Sequence, residues 1–119
     1  MRVKRIIADL GVADIDAAKG FYTDFLGLTF EEFNLGWVAR FTSPNTGAQV
    51  QLVTGDSSAV ENPVVSVLVD PDDLDRAYSE AQDRGYEIVH PLTTESWGPR
   101  RFFVRAPDGT ILNVVGHPD

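Results

Sequence analysis

The 119-residue chain contains no cysteine, which excludes disulfides, thiolate metal sites and thiol nucleophiles. Basic residues are scarce: 10 Lys and Arg stand against 18 Asp and Glu, for a formal net charge of -8. A protein that binds phosphate backbones is normally basic, so nucleic acid is a poor partner. The acidic surface serves solubility first, although it can also attract a cationic ligand. The opening MRVKRIIADLGVAD is charged, and its apolar run is too short for a signal peptide or a membrane span. That argues for a soluble cytoplasmic protein with no membrane partner. The chain also lacks G-x-S-x-G, a P-loop, a dinucleotide fingerprint and H-E-x-x-H. The segment GVADID does not have the glycine spacing of a Rossmann turn. No motif surrounds Ser43, Ser57, Ser58, Ser66, Ser79 or Ser96, so nothing supports a Ser-His-Asp triad.

What is present is a doubled pattern. Trp97 to Gly109 reads WGPRRFFVRAPDG, and the apolar strand TILNVVGH follows at once. A weaker version comes earlier, as GWVARFTSPNTG followed by AQVQLVTG. Val3 to Leu10 is rich in beta-branched residues and reads as a strand. Asp14 is a good N-cap, with Asp16 in the first turn. Ile15, Ala18, Phe21, Tyr22 and Phe25 recur at helical spacing, and Gly27 stops the helix. Strands are expected at Leu28 to Phe33, Trp37 to Thr42 and Ala48 to Thr54, with turns at Asn34 to Gly36 and Ser43 to Gly47.

The second half repeats this order. Val64 to Val69 reads as a strand. Asp72 is expected to cap a helix carrying Leu74, Ala77, Tyr78 and Ala81 on its apolar face, and Gly85 to end it. Strands follow at Tyr86 to His90, Arg100 to Arg105 and Thr110 to Gly116. The chain is read as one domain, 1–119, of two βαβββ modules at about 1–55 and 63–117, joined through Gly55 to Pro63. The expected class is α+β. The two modules would form a curved eight-stranded mixed sheet around a concave pocket, where a small ligand binds.

Three stretches, VADIDAAKGFYTDFLGL, VDPDDLDRAYSEAQDRG and WGPRRFFVRAPDGTILNVV, occur in this order over nearly the whole chain. Together they resemble the vicinal-oxygen-chelate superfamily of glyoxalase I, extradiol dioxygenases and bleomycin-resistance proteins. The resemblance implies paired βαβββ modules and, commonly, a homodimer. It also implies, in the metalloenzymes, a divalent ion held from the first and last strands of each half. A histidine seven residues before the capping Asp would be one ligand; that place is Ile7 here, and Val65 in the second half. The last-strand glutamate is replaced by Asn113, and its first-half counterpart is Gln51. The family pattern WG-x-R places its arginine at Arg100, and Ala106 stands where an aspartate commonly precedes Pro-Asp-Gly.

Hydrocarbon and neutral amides at these places are poor donors for a divalent ion but can hydrogen-bond an organic molecule. Gln51 and Asn113 either line the cavity floor or bond each other or the backbone, because a buried amide needs partners. The expected ligand-binding residues are therefore Trp37, Gln51, Trp97, Arg100, Phe102 and Asn113. Phe102 and Phe41 read more readily as core, and Arg100 as structural or mouth-lining. No metal and no cofactor is expected. The partner is an aromatic or cationic small molecule, as in antibiotic sequestration by bleomycin-resistance proteins. The alternative is a metal-dependent lyase, isomerase or dioxygenase whose site has shifted to His90, Glu31 or Glu32. A third reading is a dimeric scaffold module with no ligand. His117, near the C-terminus, reads as an exposed histidine.

Overall fold

A computed structural model of the chain describes residues 1–55 and 61–117; residues 56–60 of the expected connection, with Ser57 and Ser58, lie outside the described residues. The chain divides into two compact units, Ile7–Ser58 and, together, Met1–Ile6 and Ala59–Asp119. Each holds one four-stranded mixed sheet and one helix on its face.

The apolar run forms β1 (Val3–Gly11), which enters the first unit at Ile7, and α1 (Ile15–Gly20) follows. Asp14 sits in extended backbone, and its carboxylate accepts from the Ala17 N–H at 3.2 Å, so the expected cap is present. The helix then widens into a π turn at Phe21–Phe25, closed by the Leu26 N–H donating to the Phe21 carbonyl at 3.1 Å. Within it the Thr23 hydroxyl donates to the Lys19 carbonyl at 3.1 Å, a local bond that competes with the regular ladder. Gly27, at φ 78°, turns the chain out of the helix. Three strands complete the unit: β2 (Phe30–Asn34), β3 (Val38–Thr42) and β4 (Gln49–Val53). β3 runs antiparallel to β2 and β4, and β4 pairs in parallel with β1. Strand side chains alternate faces. Ala39, Phe41, Val50 and Leu52 pack with Ile15 beneath the helix. Arg40, Thr42 and Gln51 therefore stand on the opposite face.

The second unit repeats the plan with β5 (Val65–Val69), α2 (Leu74–Asp83), β6 (Glu87–Thr94), β7 (Arg100–Arg105) and β8 (Ile111–Gly116). Here β5 pairs in parallel with β8, and β7 runs antiparallel to both β8 and β6. Val69, Leu74, Ala77, Ala81, Phe102 and Val114 form the core under the helix. The expected cap needs correction. Asp70, not Asp72, accepts from the Asp72 N–H at 3.0 Å, and a 3-10 turn, Pro71–Asp73, precedes α2. Pro71 decides this: its fixed φ and missing N–H suit the first position inside a helix, so the residue before it becomes the cap. The C-terminus is as expected. Gly85 has φ 75°, its N–H donates to Gln82, and the Tyr86 N–H reaches the Ala81 carbonyl, a Schellman closure.

The protein is thus α+β; among the described residues are eight strands of mixed direction and two α-helices, in two βαβββ modules. Among the described residues no helix is long and apolar enough to cross a membrane.

Two expected outcomes follow from the helix-side contacts. A Cβ at Gly116 would lie 3.0 Å from the Pro71 Cα, a backbone atom that cannot swing away. Gly116→Ala should cost about 1–3 kcal/mol in urea unfolding, the usual penalty for overpacking. Exposed ion pairs fasten the start of α2: Arg2 contacts Asp70 at 3.0 Å and Asp73 at 3.3 Å, and Arg100 reaches Asp75 at 2.7 and 3.0 Å. The backbone N–H and side chain of Arg2 hold the Asp73 carboxyl below its ordinary value of 3.8, and Arg100 does the same to Asp75. The backbone N–H of Thr110 lowers Asp108 likewise. Carboxyls depressed in the folded state contribute stability that is present above the unfolded value. That contribution is lost as pH falls through the lowered folded values. Stability should therefore decline below about pH 4, and Asp75→Asn should make that acid limb shallower in urea melts taken from pH 6 to pH 2.5.

Candidate functional site

The helix-free face of the first sheet carries a closed polar network. β3 and β4 place Arg40 opposite Gln51, and β1 places Asp9 opposite Gln51 from the other side. Gln51 Oε1 accepts from Arg40 Nε at 3.0 Å and from Nη2 at 2.8 Å, and Gln51 Nε2 donates to Asp9 at 2.5 Å. Arg40 Nη1 also reaches Glu32 at 3.3 Å, and Glu32 accepts from Thr42 at 2.9 Å and Gln49 at 2.8 Å. Arg40, Thr42 and Gln51 are each buried. Both the oxygen and the amide nitrogen of Gln51 are engaged by this network.

The equivalent face of the second sheet is different. Asn113, on β8, pairs with Ser66 of β5 and Phe103 of β7, and Phe103 pairs with His90 of β6. Asn113 Nδ2 donates to Ser66 Oγ at 3.1 Å. Its Oδ1 is buried, in a residue only 8% exposed, and no described residue donates a hydrogen bond to it. A bare buried acceptor costs about 1–3 kcal/mol, so it asks for a donor from outside the chain. Beside this row lies a buried charged cluster. The Glu95 carboxylate accepts from Arg101 Nη2 at 3.2 Å and lies 3.2 Å from His90 Nε2. The Arg101 guanidinium rests 4.9 Å from the Trp97 ring centroid and 4.7 Å from that of Phe103, at cation–π distance.

Against the sequence expectations, Gln51 and Asn113 do occupy matching places, each opposite the first strand of its own unit. Trp97, partly buried in the turn before β7, stacks on Arg101. Trp37 lies just before β3, where its carbonyl accepts from the Thr54 N–H at 2.9 Å. Two expected site residues face the other way. Phe102 is 1% exposed in the core under α2, its ring 5.1 Å from Tyr78. Arg100 shares its parity and is committed to Asp75 on α2. Their neighbours Arg101 and Phe103 stand on the helix-free face instead. Sequence reasoning passed over Asp9, Arg40, Glu95 and Phe103. The alternation in RRFFVR was the available signal, since it sends Arg101 and Phe103 together to the side opposite Phe102. Of the two glutamates on β2, Glu31 is exposed and bonds Asn34 at 3.3 Å, while Glu32 turns inward to Arg40. His117 follows β8 and is exposed.

A divalent ion does not fit these residues. Ile7 is buried hydrocarbon. Val65 shares parity with Val67 and Val69, which pack toward α2, so it does not even share the face of Asn113. Counting back from Asp72 rather than from the strand pairing shifts the position by one residue, and one residue reverses a strand's faces. The residue that matches Asp9 is Ser66. Among the described residues no three His, Asp or Glu side chains are grouped to hold a metal. Of the residues considered for a shifted site, His90 meets Glu95, which also holds Arg101, Glu31 bonds Asn34, and Glu32 bonds Arg40.

No curated protein matches this chain. Solved structures that share the fold include the following three. One, from Vibrio splendidus 12B01, is described as a glyoxalase/bleomycin resistance protein/dioxygenase superfamily member; it is 20% identical, with TM-score 0.69, covering 94% of this chain and 97% of that one. An uncharacterized protein from Methanosarcina mazei is 25% identical, with TM-score 0.70 over 99% and 95%. A chain described as NAD-dependent benzaldehyde dehydrogenase from Legionella pneumophila is 19% identical, with TM-score 0.78 over 96% and 100%. The model of one family matches residues 3–114, nearly the whole length. By that match, this chain belongs to the glyoxalase/bleomycin resistance protein/dioxygenase superfamily.

Proposed function

We propose that the protein binds a small organic molecule without a metal ion, using the helix-free face of its second sheet. The observation that carries this reading is the inequality of two matching amides. Gln51 is consumed by Arg40 and Asp9, whereas Asn113 keeps a buried oxygen to which no described residue donates a hydrogen bond. Retaining an unsatisfied acceptor costs stability and gives the fold nothing; a ligand that donates to it repays that cost. Ser66, His90, Trp97 and Arg101 complete the lining, in place of the expected Arg100 and Phe102. Antibiotic sequestration is the specific form of this activity that membership of the superfamily suggests. The cytoplasmic homodimer expected from the sequence belongs to the same proposal.

The donor set favours binding over metal-assisted lyase, isomerase or dioxygenase chemistry, because amides and hydrocarbon occupy the places where an ion needs charged or imidazole donors. Trp97 supplies the test. In a Trp37→Phe background it is the single tryptophan, and its contact with Arg101 makes its emission sensitive to that face. Titrating this protein, with chelator present, against a panel of aromatic antibiotics including bleomycin should give saturable quenching by at least one compound. No change across the panel would remove the drug-binding form of the reading.

A further inference from the structure

We infer that the outer side of the first helical segment, at Phe21, Phe25 and Leu26, is a docking surface for a cationic amphipathic segment of another protein. It lies on the helix side of the first sheet, across from Gln51 and its polar network, and does not depend on the ligand reading above.

The π turn is the starting observation. Ile15, Ala18, Tyr22 and Phe25 follow the three–four–three spacing of a buried helical stripe, and the first three do pack on the core of this sheet. A regular helix would keep Phe25 beside them. The wider turn at Phe21–Phe25 takes it off that stripe and leaves it 75% exposed, more than any other large hydrophobic side chain among the described residues. Single π turns inside helices are uncommon and concentrate at functional sites. The extra residue in the turn brings Phe25 into line with Phe21, and their ring centroids are 5.2 Å apart. Phe21 is itself exposed and meets the half-buried Tyr22 edge-on at 5.2 Å, so the outer rings are tied to the core. Leu26, next in the chain, is exposed as well. Together the three side chains uncover roughly 300–400 Å² of apolar surface, a size that marks an interaction site on a soluble protein.

Charge names the occupant. Among the described residues of the first unit, the exposed charged side chains are Asp14, Asp16, Asp24 and Glu31, all of them acids. Asp24 belongs to the π turn itself. The unit's basic residues are drawn in: Lys19 is half-buried and contacts Asp16 at 3.4 Å, and Arg40 is buried with Gln51 and Glu32. A second copy laid on this surface would set acid against acid, and an anionic membrane would meet the same repulsion. A segment that sets Leu or Phe on the ring pair and flanks them with Lys or Arg satisfies both features. Its apolar side covers the patch, as amphipathic helices do in apolar grooves. Its cations meet the acids and the open face of Phe25, whose ring attracts positive charge.

The probe is a fluorescently labelled, end-blocked peptide of about 14 residues, built of Leu and Lys with Leu on one helical face. It is titrated into the intact chain at about 0.15 M salt and read by anisotropy. Two control peptides keep one feature each: Leu with Glu, and Lys with Ser. The Leu–Lys peptide should bind saturably, at least about tenfold more tightly than either control. Phe25→Ser should weaken it by about tenfold or more, as loss of a central aromatic anchor does. Asp24→Asn should weaken it about threefold and lessen its sensitivity to added salt. Circular dichroism checks that the variants fold; if Phe25→Ser does not, the three peptides on the unaltered chain and Asp24→Asn decide. Equal binding of all three peptides, no binding, or binding that survives Phe25→Ser overturns the inference. Analytical ultracentrifugation and flotation with phosphatidylcholine vesicles cover the other occupants. A dimer that Phe25→Ser dissociates, or vesicle binding that it abolishes, gives the patch to a second copy or to a membrane and overturns the inference too.

Discussion

Gln51→Leu is expected to destabilise the protein by about 3–5 kcal/mol, whereas Asn113→Leu is expected to leave stability unchanged or raise it. The two positions match in the two modules, and both amides are buried, at 7% and 8% exposure. What differs is their bonding. Leucine at 51 removes both bonds that Arg40 makes to Oε1 and the bond to Asp9. Each of these bonds has a charged partner and is worth about 1.5–3 kcal/mol, and leucine replaces none of them, although Arg40 keeps its contact with Glu32. Leucine at 113 removes one neutral bond to Ser66, worth about 1 kcal/mol net, and at the same time removes an oxygen that was buried without a donor. The added apolar burial offsets the rest. Urea denaturation of both variants measures the contrast. Equal losses would mean that the Asn113 oxygen is satisfied within the folded chain, and the ligand argument would lose its support.

The second large effect is at Glu95. Its side chain is 4% exposed and that of Arg101 6%. Glu95→Ala strips the counter-charge from a guanidinium closed in by Trp97 and Phe103 and leaves His90 Nε2 without its acceptor. The expected cost is again about 3–5 kcal/mol, because the surviving charge keeps its desolvation penalty without the attraction that offset it. Glu95→Gln retains the shape and an acceptor, so its loss should be smaller. The Trp97 emission should shift in both variants as Arg101 loosens. Arg100→Ala, which opens only the exposed pair with Asp75, should barely change the melting temperature. If Glu95→Ala melts like Arg100→Ala, the buried cluster is not what holds this face.

Much of the fold was legible in the sequence because local chemistry specified it. Asp14 and Gly27 bound the first helical segment, and Gly85 ends α2, since a cap oxygen and a positive φ are requirements that few residues meet. The doubled turn signals at Ser43 to Gly47 and Ala106 to Gly109 gave the register that aligns Gln51 with Asn113. Where several residues could meet one requirement, reading failed. The run Asp70-Pro71-Asp72-Asp73 offers three possible caps, and only the geometry of proline at the first helical position selects Asp70. The π turn left no mark in the spacing of Phe21, Tyr22 and Phe25.

The site was less legible than the fold for a related reason. Its residue types were visible, but its partnerships depend on which strands lie side by side. Gln51 meets Arg40 and Asp9 only because β4 runs between β3 and β1. Glu95 was invisible as a site residue because it follows β6 and reaches across to β7. The arginine chosen from the family pattern was Arg100, yet a single step along β7 exchanges the helix for the open face and makes Arg101 the residue of interest.

The most direct measurement is the metal content of the protein purified without chelator, by elemental analysis, together with its melting temperature before and after EDTA. Side chains of amide and hydrocarbon, with their few charges already paired, should yield far less than one equivalent of Zn, Ni, Fe or Mn, and chelation should leave the melting temperature where it was. One equivalent of such an ion per chain, lost to EDTA with a fall in melting temperature, would contradict the account and point to metal-dependent chemistry instead.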